Sequence, residues 1–357
     1  VKKALKHLGR QYLKLWRSSR WAKCWIIGVS IFAVCMGIMY GIARWYITST
    51  DDKPYVMGAS FIPAYAESLG LEPQQTMDAL INDVGVRHFR LVSYWDQLEP
   101  QKGQYDFSLL DWQMQKAEAS HSKVTLSLGL RQPRWPECHM PAWAATEPQS
   151  EWQPQLEQYI TQIVNRYKGS SALDSYQLEN EFFLKGFGLC ANFDRSRLIS
   201  EYDLVKKLDN KHPLIISRSN NALGTPVGKP TPDAFGISIY KRVWDAKLTH
   251  RYVEYPFPAW YYGFVAGVQK MTTGKDMIIH ELQAEAWPPQ GKSITDISLE
   301  EQNKSFNAQR FKDRIQFGKA TGMHEIYFWG AEYWYYRVVH EHDNSLWDVA
   351  KQTFQNR

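Results

Sequence analysis

Eight short apolar runs, separated by longer amphipathic stretches, constrain this chain more than any other feature. The runs occupy residues 56–61, 88–94, 123–130, 175–181, 214–218, 235–240, 277–281 and 325–329. Each has the length and the β-branched or aromatic content of a buried strand. Between most of them apolar residues recur every three to four positions, at 76–83, 108–119, 152–167, 195–208, 259–271 and 298–320, with a last such stretch at 345–354. That period marks helices with one buried face. The link 220–232 is rich in Gly and Pro and predicts an irregular segment where the fifth helix would lie. Eight strand–helix units predict an α/β fold, the closed (β/α)8 or TIM barrel. The alternative is a doubly wound open sheet, which usually carries a Gly-rich phosphate turn after its first strand. Here Ile62-Pro63-Ala64-Tyr65 follows the first run.

A different kind of segment precedes the barrel. Residues 25–47 are apolar or small except for Arg44, and Trp25, Trp45 and Tyr46 stand near the two ends. A helix of that length crosses the ~30 Å hydrocarbon core of a bilayer, and aromatics suit its interfaces. Lys2, Lys3, Lys6, Arg10, Lys14, Arg17, Arg20 and Lys23 lie before it, and Asp51 and Asp52 after it. The positive-inside rule then predicts a cytoplasmic N-terminus and an extracytoplasmic barrel. A cleaved signal peptide is the competing reading; the basic region is long for one, and no convincing small-x-small cleavage site precedes Asp51. The predicted organisation is a basic segment at 1–24, a transmembrane helix at 25–47 in contact with lipid, a linker at 48–54 and a barrel at 55–357.

Composition narrows the partners. The formal charge is +5, but residues 1–50 hold nine Lys/Arg and no Asp or Glu, which leaves 33 basic against 37 acidic residues beyond them. Nothing there resembles the basic stripe of a nucleic-acid binder. Fifteen Trp residues offer flat faces for ring-shaped ligands such as sugars. Cys24 and Cys35 fall at or in the apolar span, whereas Cys138 and Cys190 follow the third and fourth runs. In an oxidising compartment that pair is a candidate disulfide; two buried free thiols are the alternative.

Catalytic groups of a (β/α)8 barrel sit at the C-terminal ends of its strands. Polar and aromatic residues collect there: Arg90 and then Trp95, Arg131 to Trp135, Glu179-Asn180-Glu181, Tyr240, His280-Glu281 followed by Glu285 and Trp287, and Trp329. Glu181 and Glu281 end the fourth and seventh runs, facing each other across the barrel mouth. Glycoside hydrolysis uses such a pair, one carboxyl to protonate the leaving oxygen and one to attack or to activate water. Metal chemistry usually recruits clustered His ligands. The sequence has no HExxH, and its only His-x-His is His340 and His342. Neither metal nor organic cofactor is expected. Three other readings stay open: a non-catalytic glycan-binding barrel, an aldolase using Lys241, and a structural envelope protein.

Two stretches carry a family resemblance. Tyr176-Gln177-Leu178-Glu179-Asn180-Glu181-Phe182 resembles the Asn-Glu acid/base motif of clan A glycoside hydrolases. The segment SYWDQLEPQKGQYDFSLLD at 93–111 is similar to their "W…EP..G.YDF..LD" stretch after strand two, found in families that include the family 35 and 42 β-galactosidases. The resemblance covers residues 55–350. It implies a retaining hydrolase of β-linked oligo- or polysaccharide, with Glu181 as acid/base and Glu281 as nucleophile. Glu285 is a second, weaker candidate nucleophile. Asn180 would bind the sugar 2-hydroxyl, and Arg90 and Tyr240 would hold the nucleophile. Trp329 would lie under the cleaved sugar, with Trp95, Trp135 and Trp287 as further substrate contacts. One position departs: many members have His-x-Tyr on strand six, where this chain has Ser238-x-Tyr240.

Overall fold

The computed structural model describes residues 20–190, 192–218 and 228–355. Strands β1 (Val56–Ser60), β2 (His88–Leu91), β3 (Lys123–Leu128), β4 (Leu173–Leu178), β5 (Leu214–Arg218), β6 (Ala234–Ile239), β7 (Asp276–Gln283) and β8 (Glu325–Trp329) form one closed parallel barrel. Each pairs with its neighbours in sequence, and β8 closes on β1 from Val56↔Glu325 to Ala59↔Phe328. All eight predicted strands are present. Outside them lie helices at the predicted stretches. The first, α1 (Arg20–Thr50), precedes the barrel. Then follow α2 (Pro73–Ala79), α3 (Ser108–Ala119), α4 (Gln149–Tyr167), α5 (Arg195–Leu208), α6 (Ala259–Thr273), α7 (Ala308–Lys319) and α8 (Ser345–Gln355). The stretch predicted at 298–320 is two helices, because Phe306 and Asn307 are extended and the Asn307 side chain caps α7. Residues 228–233, before β6, hold no helix; the rest of the predicted irregular link lies outside the described residues.

Strand alternation sorts the side chains. Phe89 and Leu91 of β2, Leu126 and Leu128 of β3, and Tyr176 and Leu178 of β4 face outward into one cluster with α4 residues such as Ile160 and Val164. Each such side chain contributes about 1.5–3 kcal/mol by burial. The inward positions change character along the axis. At the bottom Ile215, Ile278 and Tyr327 pack together. Gly58 faces them, and a Cβ there would lie 2.6 Å from the Tyr327 ring. Next, Thr125 Oγ1 contacts Ser175 Oγ at 2.8 Å and the Tyr327 hydroxyl at 3.1 Å. Above them Arg90, Gln177, Ser217 and Glu281 turn inward, all buried. The barrel interior therefore becomes polar and charged only toward its C-terminal end.

Helix α1 is a single helix of 31 residues, long and apolar enough to cross a membrane. It exceeds the predicted 25–47 at both ends. Its first half stands away from the barrel, with Trp21 80%, Trp25 72% and Phe32 66% exposed. Its last turns bury Ala43, Tyr46 and Thr50. They do so against α6, whose Gly267 admits them: a Cβ on that residue would lie 2.8 Å from Ile42 Cγ2 and 3.2 Å from Tyr46 Cβ. Thr50 Oγ1 then donates to the Gly322 carbonyl at 2.9 Å. Part of the predicted linker at 48–54 is thus helix fixed to the barrel. Residues 1–19 of the predicted basic segment lie outside the described residues.

Candidate active site

A bulge in β7 aims the predicted nucleophile. β6 pairs Ile237↔Ile279 and then Ser238↔Glu281, and β8 pairs Ile326↔Ile279 and then Phe328↔Leu282. One residue of β7, His280, is thus extra on both sides. Strict alternation from Ile278, which faces inward, would send Glu281 out toward the helices. The extra residue turns it into the mouth, a use to which bulges near active sites are often put.

The predicted acid/base sits on a turn beyond the end of β4. Glu179 and Glu181 have φ of 54° and 44°, a left-handed conformation costly for residues other than glycine. Surrounding contacts hold that turn. The Glu179 carboxylate accepts from Leu130 N at 2.7 Å, Arg131 N at 3.0 Å and Arg197 Nη1 at 2.7 Å. Arg197 also bonds Glu201, and all three charged side chains are fully buried. Asn180 N donates to Arg131 O, and Glu181 N to Ser217 Oγ at 2.8 Å.

The two carboxylates meet opposite surroundings. Glu281 accepts from Arg90 Nη1 at 2.7 Å and from the Tyr240 hydroxyl at 2.6 Å. Arg90 also donates to Gln177 Oε1 at 2.6 Å and Asn180 Oδ1 at 2.9 Å, so one guanidinium ties β2, β4 and β7 together. Burial and the facing carboxylates push the Tyr240 phenol well above its usual range, keeping it a donor. Glu181 has no such cation on its carboxyl among the described residues. Its one close side-chain bond is from Ser238 Oγ, at 2.5 Å. Burial, then the charges of Glu281 and Glu137, push its carboxyl up to about 8. Ser238 stands where the resemblance expects His, yet an imidazole is still present. His280 Nε2 lies 3.4 Å from Ser238 Oγ. His280 occupies the space above Gly236, where a Cβ would come within 2.7 Å of its Nδ1. Burial and Arg90 hold that ring well below the usual histidine range, hence neutral.

A cavity of about 320 Å³ opens over these groups, lined by Glu181, Glu281, Tyr240, Trp135, Trp287 and Trp329 among others. Such a volume suits a sugar-sized ligand. Of the predicted tryptophans, Trp329 forms one wall, Trp287 meets Tyr240 edge-on at 5.6 Å, and Trp135 is 60% exposed at the rim. Trp95 is a correction. It is fully buried, packs on Trp143 and Tyr159, and donates Nε1 to Glu99 Oε2 at 2.7 Å. Glu99 Oε1 in turn accepts from Gly103 N, so this part of the family-like stretch builds a turn and does not touch the cavity. Cys138 and Cys190 are disulfide-bonded, joining the loops after β3 and β4.

Several lining residues were not singled out as ligand contacts from sequence. Val243 and Trp244 lie on a hairpin between β6 and α6, and Tyr255 just after it. The hairpin's two strands, Arg242–Asp245 and Arg251–Glu254, each read polar-apolar-apolar-polar and leave no alternating trace in the sequence. Arg134 lies over the Trp329 and Tyr65 rings at 4.5 and 3.3 Å and pairs with Glu285 at 3.2 Å. Glu285 also accepts from the Tyr65 hydroxyl at 2.6 Å, so it is occupied at the wall, away from Arg90. With Glu285, Glu137 is a further carboxylate lining the cavity beside the predicted pair. Lys241 Nζ bonds the Tyr255 and Phe257 carbonyls, which directs it out of the cavity. Among the described residues, no three His, Cys, Asp or Glu side chains are grouped to hold a metal ion.

Comparison with known proteins bears on the fold. Residues 72–149, spanning β2 and β3, match the model of glycoside hydrolase family 42, described as beta-galactosidase. No curated protein matches in sequence. Among solved structures, xylanase 10B from Thermotoga maritima is 15% identical with a TM-score of 0.51, over 89% of this chain and 99% of that one. An endo-β-1,4-xylanase of family 10 from Gloeophyllum trabeum is 15% identical with a TM-score of 0.51, over 78% and 85%. A β-galactosidase from Halorubrum lacusprofundi is 12% identical with a TM-score of 0.53, over 84% of this chain and 58% of that one. At such identities the likeness carries the fold. The chain is a closed (β/α)8 barrel of the kind seen in clan A glycosidases, with a glycoside hydrolase family 42 match across its second and third strands.

Proposed function

We propose that this protein is a retaining glycoside hydrolase of β-linked sugars, with Glu281 as nucleophile and Glu181 as acid/base. One observation carries the reading: two buried carboxyls at the same mouth, one gripped by Arg90 and Tyr240, the other without a cation and pushed up to about 8. Pairs of carboxyls whose surroundings drive them apart divide acid from nucleophile in glycosidases. Ionised Glu281 attacks the anomeric carbon while protonated Glu181 delivers its proton to the leaving oxygen. Glu181, now charged, takes a proton from water, which cleaves the glycosyl–Glu281 ester and restores both groups. In retaining enzymes these carboxyl groups stand about 5–5.5 Å apart. Asn180, held by Arg90, presents its amide to the sugar ring, and Trp287 and Trp329 supply apolar walls.

Helix α1 is read as a membrane anchor, with the N-terminus cytoplasmic and the barrel outside. Its exposed apolar first half and its fixed last turns support a barrel held close to the bilayer. The substrate is then oligo- or polysaccharide at the outer membrane face. The tie of Lys241 Nζ to two backbone carbonyls disfavours an aldolase. A panel of aryl β-glycosides, β-galactosides first, run with wild type and Glu181→Ala, tests the proposal. Turnover by wild type, lost in the variant, is expected. Glycan binding without turnover would favour a non-catalytic glycan-binding barrel instead.

A further inference from the structure

We propose that Glu137 selects sugars carrying a hydroxyl at C2 by accepting its proton, an inference that rests on the glycosidase reading above. Four glutamates line the site where the reaction uses two, and of the other two Glu285 is engaged by Arg134 and Tyr65, which leaves Glu137. Glu137 is 3% exposed and lines the cavity with Glu181 and Glu281. Its backbone has a φ of 70° and is pinned by Glu137 N donating to Arg134 O and Gln132 N donating to Glu137 O, both at 2.8 Å. The next residue, Cys138, is bonded to Cys190 across the neighbouring loop. Gly188 covers the side chain so closely that a Cβ there would lie 2.7 Å from Glu137 Cβ. Every one of these contacts keeps the carboxylate in the cavity.

The hydrogen bonds give its direction. Oε2 accepts from Asn180 Nδ2 at 2.9 Å and lies 3.6 Å from Arg131 Nη2. Asn180 Oδ1 is already engaged by Arg90 Nη2 at 2.9 Å, which fixes which way the amide faces. No hydrogen bond among the described residues ends on Glu137 Oε1. Glu137 lines the same cavity as Glu281 and is bonded to Asn180 through its other oxygen, so Oε1 is the acceptor it has to offer a ligand there. With Glu281 at C1, the substituent on the adjacent carbon is the donor nearest to hand. A hydroxyl at C2 can accept from the second Asn180 Nδ2 hydrogen and donate to Glu137. Burial raises the Glu137 carboxyl to about 7, so above neutral pH it is a charged acceptor, and such a bond is strong enough to give roughly tenfold or greater discrimination. A C2 group without a donor leaves the carboxylate unpaired.

The test compares matched aryl β-glycosides with and without the 2-hydroxyl, in wild type and Glu137→Gln. Wild type is expected to favour the 2-hydroxy substrate in kcat/KM. In the variant that ratio should shrink by about tenfold, because the 2-hydroxy substrate loses a partner and the 2-deoxy substrate does not. An equal loss on both substrates, leaving the ratio unchanged, would reduce Glu137 to a structural support and overturn the proposal. If Glu137→Gln does not fold, Glu137→Asp, which shortens the arm, is put through the same ratio. Calorimetric binding of isofagomine-type inhibitors with and without the 2-hydroxyl gives the ratio without turnover. A wild type inactive on every glycoside would sink the glycosidase reading, and the inhibitor ratio would still decide the role of Glu137.

Discussion

Neutralising Glu281 should release the proton of Glu181 at lower pH, by an amount set by the carboxyl separation of a retaining site. The Glu181 carboxyl is raised from 4.5 to about 8, first by burial and next by the charge of Glu281. Two unit charges ~5.5 Å apart at an effective dielectric of ~20 repel by about 3 kcal/mol, or roughly two pH units. In Glu281→Gln that repulsion is gone, whereas burial and Glu137 remain. Glu181 should then titrate near pH 6, still above an ordinary glutamate. Carboxyl ¹³C NMR on glutamate-labelled protein reads this directly, with Glu181→Gln assigning the resonance. A Glu181 that titrates near 8 in both proteins would refute the coupling. The sign extends to stability. A carboxyl raised in the folded state contributes stability that is present below 4.5 and is lost as pH rises through about 8. Glu181→Gln should therefore gain stability over the parent most at pH 9 and little at pH 4, measured by denaturant midpoints.

Three further outcomes are expected. Ser238→Ala removes the single short bond to Glu181; the basic limb of the pH–rate profile should move up and kcat fall about tenfold, and an unchanged profile would show that Ser238 does not tune Glu181. Gly267→Leu drives a side chain into Ile42 and Tyr46; α1 should detach from α6, exposing residues 48–53 to protease while the barrel keeps its thermal transition, and equal protease resistance would contradict the docking of α1. Replacing Cys138 and Cys190 by Ser should cost about 3–4 kcal/mol in the chain-entropy view of a cross-link. Because Glu137 adjoins Cys138, the same change should lower kcat/KM, whereas full activity would uncouple that loop from the site.

What the chain declares in one dimension follows from which interactions are periodic. Eight strands and their helices were legible because burial on alternating or 3.6-residue faces leaves a repeating trace. That Arg90, Asn180, Glu181, Tyr240, Glu281 and Trp329 lie together at one end of the barrel was legible because strand ends aim at the mouth. The reason Glu281 points inward was not: the extra residue His280 shows only in the register of β7 against β6 and β8. Its imidazole also reaches the space that the strand-six pattern assigns to another residue. Trp95 misled because an aromatic platform and an aromatic core have the same composition; its hydrogen bond to Glu99 decides between them. Glu137 was missed for a different reason. It owes its place to a left-handed backbone, a disulfide at its neighbour and a glycine across the loop, none of which is periodic. Helix α1 was legible as an apolar run, but its docking on Gly267 required the packing of α6.

Trapping the covalent intermediate is the most direct test of the account. A 2-deoxy-2-fluoro β-glycoside with an activated leaving group, incubated with the full chain and followed by peptide mass mapping, reports which carboxylate becomes esterified. The account predicts one sugar per chain, on Glu281, with no label in Glu281→Gln. A label on Glu285, or inverted product with no trapped ester at all, would contradict it.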